Sequence, residues 1–287
     1  MGLKLAHIIN PVKVSSSSDL FIAQPVTFES MRVAKNNSRD DISVSLFSQQ
    51  YAEDRSIVPA YIQLLPDLEK SILDVGTFTQ KRKLPLIADL IQSEVVLDLD
   101  FGYLIYTNVD IAVQPHFYNW IADRISEGLD SFIVNRRTIT AAYKDPKELH
   151  KMYLEKGEAH PGYDCFIISK ALIPKMYLAN ICIGAANIGL ALYLNLRLFA
   201  KNFKEFGDEF LTFHIGNDQV WKHNSNNEFK IHNQSEFERV KTRFKSDAAR
   251  VELIIQEAFP TLRSRAQPVP SKNGPSVLSR LLNRLRK

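Results

Sequence analysis

The run Tyr103-Leu104-Ile105-Tyr106-Thr107 constrains the fold of this chain more than any other segment, because it is apolar and aromatic and then gives way abruptly to Asn108-Val109-Asp110-Ile111. Side chains of this kind suit a buried strand. A carboxylate at the carboxyl end of such a strand lies where open α/β sheets bind ligands. Asp110 is therefore a candidate ligand for a metal ion that in turn holds a diphosphate. A plainer reading is that Asp110 caps the next helix, which would begin near Gln114-Pro115, since Asp before a helix and Pro early in it are ordinary start signals.

The neighbouring segments supply a frame for that strand. Leu5 to Val12 reads as a first strand running into a loop, and Asp19 can cap a helix that continues to about Lys35. Asp41 to Ser48 alternates apolar and polar residues and reads as a second strand. Leu68–Val75 is a short helix or turn, and Leu84–Ile91 has helical spacing. The Tyr103–Ile111 strand is followed by a helix from about Pro115 to Glu127 and a strand from Ser131 to Asn135. Cys165–Ile168 is a short strand, Ile181–Asn202 a long helix, Phe210–Ile215 a strand and Ser235–Phe259 a closing helix. Strands alternating with helices predict an α/β domain whose mainly parallel central sheet is covered by helices on both faces. Residues 1–260 are expected to form one such domain, and 261–287 a basic linker with a short amphipathic tail.

Charge and composition narrow the function. The chain has 287 residues, 45% hydrophobic and 24% charged, the profile of a soluble globular protein. The best candidate for a membrane span, Ile181 to Ala200, carries Asn187, Asn195 and Arg197 and reads better as a buried helix. No signal peptide is recognisable at the start, and Ala6 breaks a myristoylation pattern after Gly2. Cys165 and Cys182 form neither a CxxC pair nor a zinc spacing, so a cytosolic location with buried thiols is expected. The net charge is +4, yet residues 261–287 hold seven Lys or Arg and no acid, which leaves the first 260 residues at −3. A general nucleic-acid surface is not supported. In the tail, Val277, Leu278, Leu281, Leu282 and Leu285 recur at helical spacing among arginines. Residues 276–287 are thus a peripheral contact with the inner face of an anionic membrane, a disordered solubilising tail or a small docking helix.

Other polar constellations sit at predicted element ends. Asn108-Val109-Asp110 ends its strand, whereas Asp98-Leu99-Asp100 precedes it and reads as a helix end or loop. Arg82 and Lys83 could reach a diphosphate, as guanidinium matches phosphate oxygens, or form part of a solvated charge run. Arg136 and Arg137 follow a predicted strand end and suit an anion, or for one of them the surface. In His160-Pro161-Gly162-Tyr163-Asp164, Asp164 falls on a glycine-containing loop and could accept a proton from a substrate hydroxyl, or simply form a turn. His214, followed by Gly216-Asn217-Asp218, is a plausible metal or phosphate ligand or a structural histidine; Trp221 could stack on a sugar or fill the core. There is no glycine-rich phosphate loop, nucleophile elbow, HExxH or kinase signature.

In the order of its elements over about residues 5–225, the chain resembles GT-A-type glycosyltransferases of the nucleotide-diphospho-sugar transferase superfamily. "YLIYTNVDI" is similar to the strand and Asp-x-Asp motif of such enzymes, with Asn108 in place of the first Asp, and "HPGYDCFII" and "FHIGNDQVW" resemble their acceptor-side and late metal- or phosphate-side loops. The resemblance implies a GT-A-like fold and transfer of a sugar from a UDP- or GDP-linked donor to a glycan or lipid-linked acceptor. It implies Mn2+ or Mg2+ at Asp110, assisted by Asn108 and His214, with Asn10, Pro11, Arg82, Lys83 and Arg136 around the nucleotide. Asp164 and Asp218 would be the catalytic carboxylates, Asp164 as base or acceptor-orienting group. A non-catalytic sugar- or nucleotide-binding protein and a sugar-phosphate nucleotidyltransferase are the alternatives, the latter disfavoured because Ser15–Ser18 is a poor substitute for a glycine-rich loop.

Overall fold

The computed structural model describes residues 2–216 and 227–258. Asp218, Trp221 and the tail 261–287 lie outside these described residues. The elements are β1 (Leu3–Ile9), α1 (Leu20–Asn36), β2 (Ile42–Ser48), β3 (Gln63–Leu64), α2 (Ile87–Ile91), α3 (Glu94–Asp98), β4 (Tyr103–Thr107), β5 (Ala112–Val113), α4 (Phe117–Ser126), β6 (Ser131–Ile139), α5 (Leu149–Met152), β7 (Glu158–Ser169), α6 (Ile188–Phe199), β8 (Phe203–Phe206), β9 (Thr212–Ile215), α7 (Asn227–Arg243) and α8 (Ala248–Glu257).

The strands form one sheet in the order β3-β2-β1-β4-β7-β6-β9-β5, with β8 paired to β6. β3, β2, β1 and β4 run parallel; β7 is antiparallel to both β4 and β6; β8 and β9 are parallel to β6. The class is the expected one, α/β, with helices on both faces of a mainly parallel sheet. Alternation of side chains along each strand creates the two faces. Ala6, Ile8, Leu104, Tyr106, Ile133, Phe166 and Ile168 face a core completed by α2, α3, α6, α7 and α8. Leu5, Ile9, Ile105, Phe132, Val134, Cys165 and Ile167 face the other, filled by Phe28 and Met31 of α1 and Phe117, Tyr118 and Ile121 of α4. Among the described residues no helix is long and apolar enough to cross a membrane.

Several expected boundaries move, each for a local reason. Asp19 does cap α1, accepting a hydrogen bond from Leu20 N. The Leu84–Ile91 helix begins only at Ile87, because Leu84 precedes Pro85 and is biased to extended backbone. The Ile181–Asn202 helix begins at Ile188: residues 181–183 instead give backbone to the preceding segment, with Ile87 N on Ile181 O at 2.9 Å and Ile183 N on Pro85 O at 2.8 Å. The closing helix is two helices, α7 and α8, separated by a short 3-10 turn at Lys245–Asp247. Strand β4 stops at Thr107, and the chain turns through Asn108–Asp110 into the very short β5.

The largest correction concerns the two segments expected to end in loops. β6 continues through Arg136 and Arg137 to Ile139, and β7 starts at Glu158, so His160-Pro161-Gly162 lies inside a strand. Pairing passes from Ile133↔Phe166 to Asn135↔Tyr163 to Arg137↔Ala159, with a register shift at each step. The extra residues belong to β7. Pro161, which has no N–H to donate, is accommodated in this irregular stretch.

Candidate functional site

Strand pairing assembles one polar cluster beyond the carboxyl end of β4. The ladder between β4 and β7 ends at Thr107↔Cys165, which sets Asn108 beside Asp164. Asn108 Nδ2 donates to Asp164 Oδ1 at 3.0 Å, and its Oδ1 accepts the Tyr106 hydroxyl at 3.2 Å. The hairpin of β6 and β7 brings Arg136 Nη1 within 3.1 Å of Asp164 Oδ2. Finally, β5 pairs with β9 at Ala112↔Phe213, so Asp110 meets His214 across 104 residues of sequence, with Nε2 3.1 Å from Oδ2. The other imidazole nitrogen, Nδ1, lies 2.8 Å from Gly216 O. Gly216 adopts φ of 72°, a left-handed conformation that glycine accepts without strain and that folds its carbonyl back onto His214.

The charges in this cluster are strongly coupled. For Asp110, burial is the largest influence and acts upward. The hydrogen bond and charge of His214, with the charge of Arg136, outweigh it and hold the carboxyl below its ordinary range. For His214 burial acts downward and is again the largest single influence, but Asp110 prevails and raises the imidazole above its usual value. Burial lifts the Asp164 carboxyl; Arg136 opposes this and the charge of Asp110 adds to it.

Three buried polar atoms here have no hydrogen-bond partner among the described residues: Asp110 Oδ1, Arg136 Nε and Thr138 Oγ1. Arg136 and Thr138 share one face of β6, and Thr138 is the register partner of His214. Buried donors and acceptors rarely stay unpaired, so Asp110 Oδ1 and Arg136 Nε, within one charged cluster, suit a polar ligand. The donor set suits a divalent cation bound through a single carboxylate and an imidazole, with its remaining positions left to ligand oxygens and water. No three side chains from His, Cys, Asp and Glu converge among the described residues.

A second group of unpaired polar atoms lies along the same edge of the sheet. Ser48 Oγ, Gln49 Oε1 and both amide atoms of Gln50 are buried without partners. These residues end β2 and follow it directly, next to the loop after β1. Asn10 Nδ2 donates to Gln49 O at 2.6 Å. That loop is held rigidly: Val12 N and O bond the Gln24 amide at 2.9 and 2.8 Å, and Lys13 N donates to Asp54 Oδ1 at 2.7 Å. Pro11 is buried within it.

The structure thus brings Asp110, Asn108, His214, Asp164 and Arg136 together and sets Asn10 and Pro11 on the same edge. Lys83 pairs with Glu53 at 2.9 Å and covers the Tyr51 ring at 4.0 Å, beside the end of β2. Arg82 lies over the ring of Phe229, 5.8 Å from its centre. Arg137 is buried on the opposite face of β6 from Arg136, where it pairs with Asp208 and bonds the carbonyls of Lys156 and Gly157. In the other Asp-x-Asp, Asp98 ends α3, as expected, and Asp100 pairs with Lys4. Tyr106, Thr138, Gln49 and Gln50 were not singled out by the sequence reading. For Thr138 a signal exists, its i, i+2 spacing from Arg136; for the glutamines only the position at the end of a strand could have pointed to them.

No family profile matches the chain, and no curated protein matches it. Among solved structures it is similar to TarS of S. aureus in complex with UDP-GlcNAc, at 10% identity and a TM-score of 0.42, over 75% of this chain and 59% of that one. It is also similar to HddC from Yersinia pseudotuberculosis, at 12% identity and a TM-score of 0.38, over 71% of this chain and 89% of that one. The chain spans about six-tenths of the length of the TarS 1–349 structures.

Proposed function

We propose that this chain is a glycosyltransferase that takes a sugar from a nucleoside-diphosphate donor bound across the carboxyl edge of β1, β2 and β4. The observation that carries the reading is the charged cluster of Asp110, His214, Arg136 and Asp164 beyond the end of β4, in which Asp110 Oδ1 and Arg136 Nε are unpaired among the described residues. Asn10, Pro11 and the amides of Gln49 and Gln50 would receive the nucleoside, since amide groups can pair with the donor and acceptor edge of a base. Asp110 and His214 would hold Mn2+ or Mg2+, with Asn108 orienting the carboxylates. That ion would stabilise negative charge on the departing diphosphate. Arg136 supplies a fixed positive charge directed to the same place. Asp164, whose carboxyl is lifted by burial, would take the proton of an acceptor hydroxyl as its oxygen attacks the anomeric carbon and the diphosphate leaves. Asp218 would act from the segment that follows β9. The acceptor is a glycan or a lipid-linked saccharide.

One observation favours a second reading. No three His, Cys, Asp or Glu side chains converge among the described residues, and Asn108 stands where a second carboxylate would add charge. A nucleotide-sugar-binding protein that relies on Arg136 instead of a cation fits that donor set. Calorimetric titration of UDP and GDP, with and without Mn2+, into wild type and Asp110→Ala separates the two. Binding that needs Mn2+ and vanishes in Asp110→Ala supports the transferase. Binding indifferent to Mn2+ supports the second reading, and no binding to folded protein by either nucleotide defeats both.

A further inference from the structure

On β7, His160, Gly162 and Asp164 share one face of the strand. A Cβ added to Gly162 would come within 2.8 Å of the His160 ring and 3.1 Å of Asp164 Oδ2. Backbone geometry does not call for glycine at this position. Among the described residues the glycines with φ in the left-handed region are Gly128, Gly157, Gly184 and Gly216, and Gly162 is not one of them. A bulge that requires glycine puts it in that region. Glycine inside a strand otherwise weakens it, and marks a point where another group comes close. One such group is the His160 ring, and it is held in place. Gly162 N donates to His160 Nδ1 at 2.9 Å, so the proton of the neutral ring lies on Nε2. The ring and Oδ2 thus both border the point that a side chain on Gly162 would occupy. Along β7 the chain passes from buried at Asp164 to half-buried at Gly162 and His160.

We propose that the acceptor enters here: its hydroxyl reaches Asp164 Oδ2 over the bare backbone of Gly162, and the His160 ring borders the path and orients the acceptor saccharide. This rests on the reading of Asp164 as the group that takes the acceptor's proton. In that transfer the acceptor oxygen bonds to the anomeric carbon. The bond from that carbon to the diphosphate oxygen breaks, its electron pair leaves on the diphosphate, and the proton passes to Oδ2. Gly162 and His160 form no bond in this step. Gly162 sets how large a group can stand beside the reacting hydroxyl, and His160 is an acceptor-binding residue. A saccharide suits the pair, because it presents a hydroxyl for Oδ2 next to C–H surface for the apolar body of the imidazole. The sheet order supports the assignment, since β7 lies on the opposite side of β4 from β1 and β2. A donor across β1, β2 and β4 and an acceptor over β7 would approach Asp164 from different sides.

The test compares wild type, Gly162→Ala, His160→Ala and the double variant H160A/G162A. Calorimetry measures UDP and GDP binding with Mn2+. Release of UDP or GDP is followed from UDP-glucose, UDP-N-acetylglucosamine and GDP-mannose, with and without methyl glycosides of the common hexoses and N-acetylhexosamines as acceptors. A methyl glycoside should speed release by wild type. Gly162→Ala should raise the acceptor KM roughly tenfold or more, as one methyl group in the path of a substrate does, with nucleotide affinity and donor KM unchanged. His160→Ala should raise the acceptor KM by a smaller factor, and H160A/G162A should be no better than Gly162→Ala. The three nearest neighbours of the added methyl are side-chain atoms of His160 and Asp164, so melting temperatures close to wild type are expected and will show intact folds. An unchanged acceptor KM in Gly162→Ala, or equal rises in donor and acceptor KM, overturns the proposal. So does recovery in H160A/G162A of the acceptor KM of His160→Ala, which would mean that glycine only makes room for the ring. Nucleotide binding by wild type with no effect of any methyl glycoside overturns it too and leaves the donor reading standing. Absence of nucleotide binding defeats the donor reading and this proposal together.

Discussion

Arg136 and Asp164 form a pair whose side chains are only 13% and 10% exposed, and neither charge tolerates the loss of the other. Removing one partner of a buried pair leaves an uncompensated charge, which costs more than the pair itself contributes. Arg136→Met should therefore destabilise the protein by about 2–4 kcal/mol. Adding Asp164→Asn to the same chain should restore more than half of that, because the stranded carboxylate is gone. Urea unfolding midpoints of the two single variants and the double variant decide this; a double variant no more stable than Arg136→Met would show that the pair is not coupled. Asp164→Asn alone tests chemistry. If Asp164 takes the acceptor proton, turnover falls by roughly 100-fold or more while UDP or GDP binding is kept. Equal losses in turnover and nucleotide affinity would assign Asp164 to donor binding instead.

At the level of elements, what could be read in the sequence depended on the length of the pattern. The β4 strand and the position of Asp110 at its end were legible because an apolar run stops sharply there. The partner of Asp110 was not, because β5 has two residues and β9 four, too short to reveal that they pair. Pro161-Gly162 is a turn signal and predicts a loop at Asp164; in the folded chain the same residues lie in the irregular stretch where β7 carries its extra residues. The hairpin carrying that irregularity is fixed by Gly157, which has φ of 59° and where an added Cβ would run into Thr138 O. Gly157→Ala should cost about 1–3 kcal/mol, from left-handed strain and the backbone clash together. Because Thr138 and Arg136 lie on that strand, nucleotide binding should weaken as well. Gly207, where an added Cβ would meet no other part of the chain within 4 Å, is the control: its alanine variant should change stability by no more than about 0.5 kcal/mol. Calorimetric melting of the two variants is the comparison, and similar melting temperatures would mean that the hairpin yields at Gly157.

Across the whole molecule, the helix layers bury polar groups as well as apolar ones, and His7 is the clearest case. It lies in the middle of the sheet, between the Tyr118 hydroxyl at 2.8 Å on Nδ1 and Thr107 Oγ1 at 2.9 Å on Nε2. Burial pushes its pKa down to about 3, so it stays neutral in the folded chain. In the unfolded chain it protonates near its ordinary value of about 6.5. Between those values the unfolded state holds one proton more, so stability rises with pH across the window and is lost as the pH falls below about 6.5. Other groups act in the same range. His214, raised in the folded state, contributes stability that is present at acid pH and lost as the pH rises through its folded value. Asp54, Asp89 and Asp164, also raised, contribute in the same sense at lower pH. Comparison of wild type with His7→Gln cancels these, since Gln offers a donor and an acceptor but no titration. The stability difference between the two chains should shift by about 1.4 kcal/mol per pH unit between pH 6 and 4, against wild type as the pH falls. Urea midpoints at several values in that interval measure it. Parallel curves for the two proteins would mean that His7 takes up its proton in the folded state, and that the sheet opens around it more readily than its buried position implies.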